Sequence, residues 1–261
     1  MKKIMDLNQE CTYFSASRID NIAWIELKGN MLQQSTDLSC RDTLLNYLNL
    51  VSEDKEIKIV AIFNSSESAG YEKYAEFYQM VGDRKIGEND VWRMFRTFDS
   101  LVKTILESPK FFINAAKGKL YPQIINLSLA CDYRIISENA TIQNVYLDFG
   151  LAPKGGGAYF LKKRLGHCRA FELLLSEEEI TAKDALELGV VNKVVPRHSL
   201  EEATLEKAQE FAKKPSDSLK VIKRLLNYTD QDLGDYLELE NQELMHALRF
   251  AEGFSPSRRW V

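Results

Sequence analysis

No apolar stretch in this chain approaches the length of about 20 residues that crosses a bilayer. The N-terminal MKKIMDLNQE has two lysines but no apolar run behind them, so it does not read as a secretory signal. Basic residues are not in excess, with 34 Lys and Arg against 38 Asp and Glu and a formal charge of −4. That balance argues against a nucleic-acid partner or a membrane-seeking face. Cysteine and histidine are sparse: Cys11, Cys40, Cys131 and Cys168 form neither a C-x-x-C pair nor a ligand cluster with the three histidines. No metal is expected, and the thiols read as reduced in a cytoplasmic protein. His167 and Cys168 are adjacent, but neighbours on a helix diverge by about 100°, so they read as a surface histidine beside a packed thiol.

What is present is ordinary for a globular chain: 261 residues, 45% hydrophobic and 28% charged. This length suits one large domain, or a domain with a small appendage. Thr12 to Ser17 and Ile22 to Leu27 alternate as paired strands, with a hairpin at Asp20-Asn21. Helical spacing at Leu38, Leu44, Leu45, Leu48 and Val51 precedes a buried strand over Ile57 to Ile62. Asn89 to Ser108 reads as a long amphipathic helix ending before Pro109, and Phe111 to Ala116 as the next strand. A further strand is predicted over Thr141 to Tyr146, then a glycine-rich turn and a helix around Ala158 to Leu165. Repeated strand-and-helix units of this kind predict an α/β core with parallel pairing. Beyond about Val195 only helices are expected, at Leu200 to Lys213, Asp217 to Leu226 and Leu233 to Ala251. The division is therefore a core over 1–195 and a helical region over 196–261. No fixed-period repeat is visible.

Three segments follow one another in order: LACDYRII from Leu129, DFGLAPKGGGAYFLKKRLG from Asp148, and EEITAKDALELGVVNKVVP from Glu178. In motif and spacing they resemble the crotonase, or enoyl-CoA hydratase/isomerase, superfamily. The resemblance implies a crotonase-like spiral of ββα units with a helical C-terminal trimerisation region, homotrimers or hexamers, and a coenzyme A thioester as substrate with no permanent cofactor. Chemistry beside a thioester passes through an enolate, whose oxygen needs donors fixed in advance. Backbone N–H groups at a loop and at a helix start meet that need, and a carboxylate within reach moves the proton.

Carried onto this chain, the first oxyanion donor matches the N–H of Tyr71 in Ala69-Gly70-Tyr71-Glu72, with Ala69 and Gly70 beside the substrate; the alternative is an ordinary turn before a helix over Glu72 to Met80. The second matches Gln123. Pro122, Gln123 and Ile124 stand where the family has three glycines, so that turn is stiffer and more crowded. Both hydratase glutamates are replaced, by Asn126 and Tyr146, and neither is a good base near neutral pH. Asp148 matches the aspartate of a D-V-G-L-A pattern that resembles the dienoyl-CoA isomerase branch; otherwise it is a turn aspartate satisfying local N–H groups. Asp132 with Arg134 reads as a brace for the core. The glycines of PKGGGA could hold a phosphate or allow close helix packing, and packing suits this context better. Lys28, Arg258 and Arg259 are the candidate cations for the CoA phosphates.

The resulting expectation is an enoyl-CoA isomerase/hydratase-like enzyme with an oxyanion-stabilised thioester enolate and a single carboxylate base. Two alternatives stay open: a catalytically degenerate paralogue that binds CoA esters or serves as an assembly subunit, and a decarboxylase or thioester hydrolase.

Overall fold

The computed structural model describes residues 7–64 and 70–250. It opens with strands β1 (Gln9–Glu10), β2 (Phe14–Ile19) and β3 (Ile22–Leu27), followed by α1 (Met31–Gln34) and α2 (Leu38–Glu53). Next come β4 (Ile59–Asn64), α3 (Tyr71–Gly82), α4 (Glu88–Glu107), β5 (Phe111–Ala116), β6 (Lys119–Leu120) and α5 (Pro122–Leu129). β7 (Tyr133–Ser137) and β8 (Thr141–Ile142) lead into a 3-10 helix, Val145–Phe149, then α6 (Gly157–Leu165) and α7 (His167–Leu174). The chain continues through β9 (Ile180–Thr181), α8 (Ala182–Glu187) and β10 (Lys193–Val195), and finishes with α9 (Leu200–Ala212), α10 (Ser216–Leu226) and α11 (Leu233–Phe250).

Seven strands form the main sheet in the order β1-β2-β3-β4-β5-β7-β10. The first two pairings are antiparallel, and from β3 onward every pairing is parallel. The β2–β3 hairpin closes with Ile19 opposite Ile22, and Asp20 takes φ 52, a conformation that aspartate tolerates in a two-residue turn. A second sheet, β6-β8-β9, stands apart from the first.

Alternation along β4 divides the core in two. Val60 and Ile62 face the cluster formed with α2 and α4, while Ile59, Ala61 and Phe63 face α9. α4 contributes Val91, Met94, Phe95, Phe98, Leu101, Val102 and Ile105 from one buried stripe, each worth about 1.5–3 kcal/mol of burial. The pair read as a core brace has that role. Asp132 Oδ2 accepts from the Phe112 N–H at 2.7 Å and from Lys223 Nζ at 3.0 Å, while Arg134 donates to the carbonyls of Cys131 and Val190 at 2.7 and 2.8 Å. Lys223, almost fully buried on α10, also donates to the carbonyls of Ile105 and Lys110, fastening the tail to its own core.

Two sequence readings need correction. The strand expected over Thr141 to Tyr146 stops at Ile142, because Asn144 turns its amide onto the carbonyls of Leu173 and Ser176 and the chain coils into the 3-10 helix. Cys168 is exposed, since α7 buries Ala170 rather than the thiol. No described helix is long and apolar enough to cross a membrane.

Candidate active site

The parallel strands β4 and β5 end side by side at Asn64 and Ala116, and the helices that follow them start at the same edge. Tyr71 opens α3, and Gln123 lies in the first turn of α5, whose N-cap is Tyr121 and whose first residue is Pro122. Proline suits a helix start, where its missing N–H removes no intrahelical bond. First-turn N–H groups have no acceptor within their own helix, so Tyr71 and Gln123 each present a backbone donor. The start of α3 packs on β6, the strand that leads into α5: a Cβ on Gly70 would lie 2.8 Å from Lys119 Cβ, a separation that only glycine permits.

Aromatic rings fill the space between these helices. Tyr74 lies 4.7 Å from Tyr78, 5.5 Å from Phe149 and 6.5 Å from Tyr121, centroid to centroid, and all four side chains are buried. Burial pushes the hydroxyls of Tyr74, Tyr78 and Tyr121 well above the usual phenol range, which keeps them protonated and able to donate. Gln123 is 1% exposed, and its amide lies beside the Tyr74 and Tyr78 hydroxyls. Neither its oxygen nor its nitrogen makes a well-formed hydrogen bond. The sequence reading missed Tyr74 and Tyr78. Their signal was present, since Tyr74 and Tyr78 follow helical spacing along one side of α3.

Asp148 is half-buried in the 3-10 helix, one residue before the Phe149 ring that packs on Tyr74 and Tyr78. The structure thus brings its segment to the same aromatic cluster as Gln123. Asn126 and Tyr146 meet elsewhere, around a narrow cavity with room for a water-sized group in only about 20 Å³. Its apolar wall includes Ile125, Leu129, Ile142, Leu161, Leu173 and Leu174. The polar side chains in the wall all turn onto backbone carbonyls. Asn126 donates to Lys154 at 2.9 Å, Tyr146 to Leu174 at 2.5 Å, and Asn144 to Leu173 and Ser176. Burial also pushes the Tyr146 hydroxyl well above the usual range.

Asn126 packs directly on the glycine turn. A Cβ on Gly157 would come within 2.5–2.6 Å of the Asn126 amide atoms. Gly157→Ala should therefore displace Asn126 and destabilise the protein by about 1–3 kcal/mol, as overpacking does. A thermal midpoint equal to that of the unaltered chain would contradict this close fit.

The rest of the turn is occupied by the protein itself. The Glu240 carboxylate, carried by α11, accepts from the N–H groups of Gly155 at 2.8 Å and Gly156 at 3.0 Å. It also accepts from Lys154 Nζ at 2.9 Å, and Lys154 donates in addition to Asp99, which Asn241 contacts at 2.8 Å. Lys154 and Glu240 are buried, and burial raises the Glu240 carboxyl against the pull of Lys154. An internal carboxylate therefore stands where a phosphate could have been held, and close packing is the observed use of the glycines.

Lys28 pairs with Glu10 and donates to the Cys11 carbonyl at 3.2 Å. Ala69, Arg258 and Arg259 lie outside the described residues. Among the described residues no group of three or more His, Cys, Asp or Glu is placed to hold a metal.

Comparison with known proteins defines the class. The family described as enoyl-CoA hydratase/isomerase matches residues 18–252, and the chain belongs to it. The trans-2-decenoyl-[acyl-carrier-protein] isomerase of Streptococcus mutans is 24% identical over 247 residues, covering 92% of each chain. Among solved structures, an enoyl-CoA hydratase from Bacillus halodurans superimposes with a TM-score of 0.79 at 21% identity, covering 92% of this chain and 97% of that one. The enoyl-CoA hydratase from Bacillus anthracis gives 0.72 at 25% identity, with 89% of each chain covered. The fold is that of the crotonases: α/β units followed by a helical C-terminal region.

Proposed function

We propose that the protein shifts a double bond along the chain of an enoyl-CoA thioester, without adding water. The observation that carries this reading is the pair of positions where the resemblance expects water-handling glutamates. Asn126 and Tyr146 hold no carboxylate, and their polar atoms are committed to backbone carbonyls around an apolar cavity. Asp148 remains, on a segment packed against α3. In this scheme Asp148 takes a proton from the carbon next to the double bond, and the electron pair moves onto the thioester oxygen. The N–H groups of Tyr71 and Gln123 stabilise that oxygen. Asp148 then returns the proton at the other end of the allylic unit, so no atom is gained or lost.

One observation favours a second reading, a CoA-ester-binding paralogue without turnover: Tyr74, Tyr78, Tyr121 and Phe149 close the space beside Gln123. Incubation with a panel of 2- and 3-enoyl-CoA thioesters, followed by chromatography, separates the readings. Interconversion of positional isomers is expected. Accumulation of 3-hydroxyacyl-CoA would overturn the isomerase reading, and saturable binding with no conversion would favour the paralogue.

Assembly belongs to the same proposal. On α10, Leu225 and Leu226 are 70% and 74% exposed, with Val221 and Ile222 also open to solvent, more apolar surface than an isolated peripheral helix should carry. Light scattering at micromolar concentration should return the mass of a homotrimer or hexamer. A clean monomer mass would contradict it.

A further inference from the structure

We infer that the side chains of Gln123, Tyr74 and Tyr78 form a second set of donors for the thioester oxygen, replacing the bare glycine backbone that the turn has lost. The inference deepens the proposed reaction at that same site and rests on it. Gln123 is 1% exposed, and its amide has only loose contacts with the Tyr74 and Tyr78 hydroxyls, none of them a well-formed hydrogen bond. Leaving such a group unsatisfied costs about 1–3 kcal/mol. A side chain kept only for packing would hold the same space more stably as methionine or leucine. The neighbours are chemically matched to an incoming oxygen. The two tyrosine hydroxyls border the amide, their rings are 4.7 Å apart, and Phe149 packs at 5.5 and 5.7 Å from them.

The placement follows from helix geometry. Tyr74 and Tyr78 are one helical turn apart on α3, beyond Tyr71, and face the first turn of α5. An oxygen received here meets the Gln123 N–H of the backbone, the amide N–H₂ of the same residue, and the one phenol O–H that the contact between Tyr74 and Tyr78 leaves over. Phenols held neutral by burial serve an anion better than they serve a neutral carbonyl, because a charged acceptor strengthens each bond. The donor set therefore favours the enolate over the ground-state thioester, as catalysis requires.

Gln123→Met tests this through two readouts that move in opposite directions. Removing a poorly satisfied buried amide should raise the melting temperature by about 2–4 °C. Turnover of an enoyl-CoA isomer pair should fall by about 100-fold, the scale seen when one oxyanion donor is lost. A ¹³C-labelled acyl-CoA bound to the unaltered protein should show its carbonyl stretch at lower frequency than in water, and Gln123→Met should move it back up. Tyr78→Phe, which removes one hydroxyl and keeps the ring, should move the stretch the same way by a smaller amount and keeps the test open if Gln123→Met folds poorly. A bound carbonyl whose frequency is unchanged in both variants would overturn the donor set while leaving the isomerase reading standing. Failure of any acyl-CoA to bind the unaltered protein would overturn that reading and the inference with it.

Discussion

Asp148→Asn should lower the interconversion of 3-enoyl- and 2-enoyl-CoA by about 100-fold or more, the scale of general-base catalysis. The substitution keeps the size of the side chain and removes its ability to take a proton. Phe149 keeps its ring contacts on α3 and asparagine can still accept a hydrogen bond, so folding and thioester binding should survive. Steady-state rates, with CoA-ester affinity measured in parallel by titration, separate the effects: kcat should fall while affinity stays within about threefold. Equal rates in the two proteins would show that Asp148 is a turn residue. The loss should be this large because neither Asn126 nor Tyr146 offers a second carboxylate, and their polar atoms are already engaged.

The largest effect on stability is expected at Lys154. Lys154→Met would leave Asp99 and Glu240 buried close to one another without the cation that compensates both. Breaking a buried ion pair from one side costs about 3–5 kcal/mol. For a chain of this size that is a fall in melting temperature of about 10 °C. Adding Glu240→Gln to the variant should recover part of the loss, because a neutral amide can still face Gly155 and Gly156 without the stranded charge. A melting temperature within about 2 °C of the unaltered protein would mean that the network does not bear on stability. Lys154 is also what joins the tail to the core here, since it ties α4, the glycine turn and α11 together.

The strands at Ile22–Leu27 and Phe111–Ala116 were legible residue for residue, because alternating or continuous apolar runs bounded by turn residues admit few other structures. The segment from Thr141 was not. Its apolar residues suited a strand, but a side-chain amide reaching carbonyls about 30 residues away decided its course. The same limit hid the condition of Asn126 and Tyr146. That neither is a carboxylate was plain in the sequence, whereas their attachment to the carbonyls of Lys154 and Leu174 depends on how α6 and α7 pack. The Lys154 network had a readable trace. Asp99 interrupts the apolar stripe of α4, and Glu240 lies between Leu237 and Leu244 on the buried side of α11. A carboxylate at helical spacing within an apolar stripe calls for a buried cation, and the lysine replacing a glycine in PKGGGA supplies it.

One isotope experiment bears most directly on the claim that a single carboxylate moves a proton in a site that handles no water. An enoyl-CoA deuterated at the carbon that gives up the proton is converted by the unaltered protein in water enriched in heavy oxygen, and the products are weighed by mass spectrometry. The expected product is a positional isomer that keeps part of its deuterium, now at the other end of the allylic unit, with no heavy oxygen incorporated. A hydroxyacyl-CoA carrying heavy oxygen would contradict it.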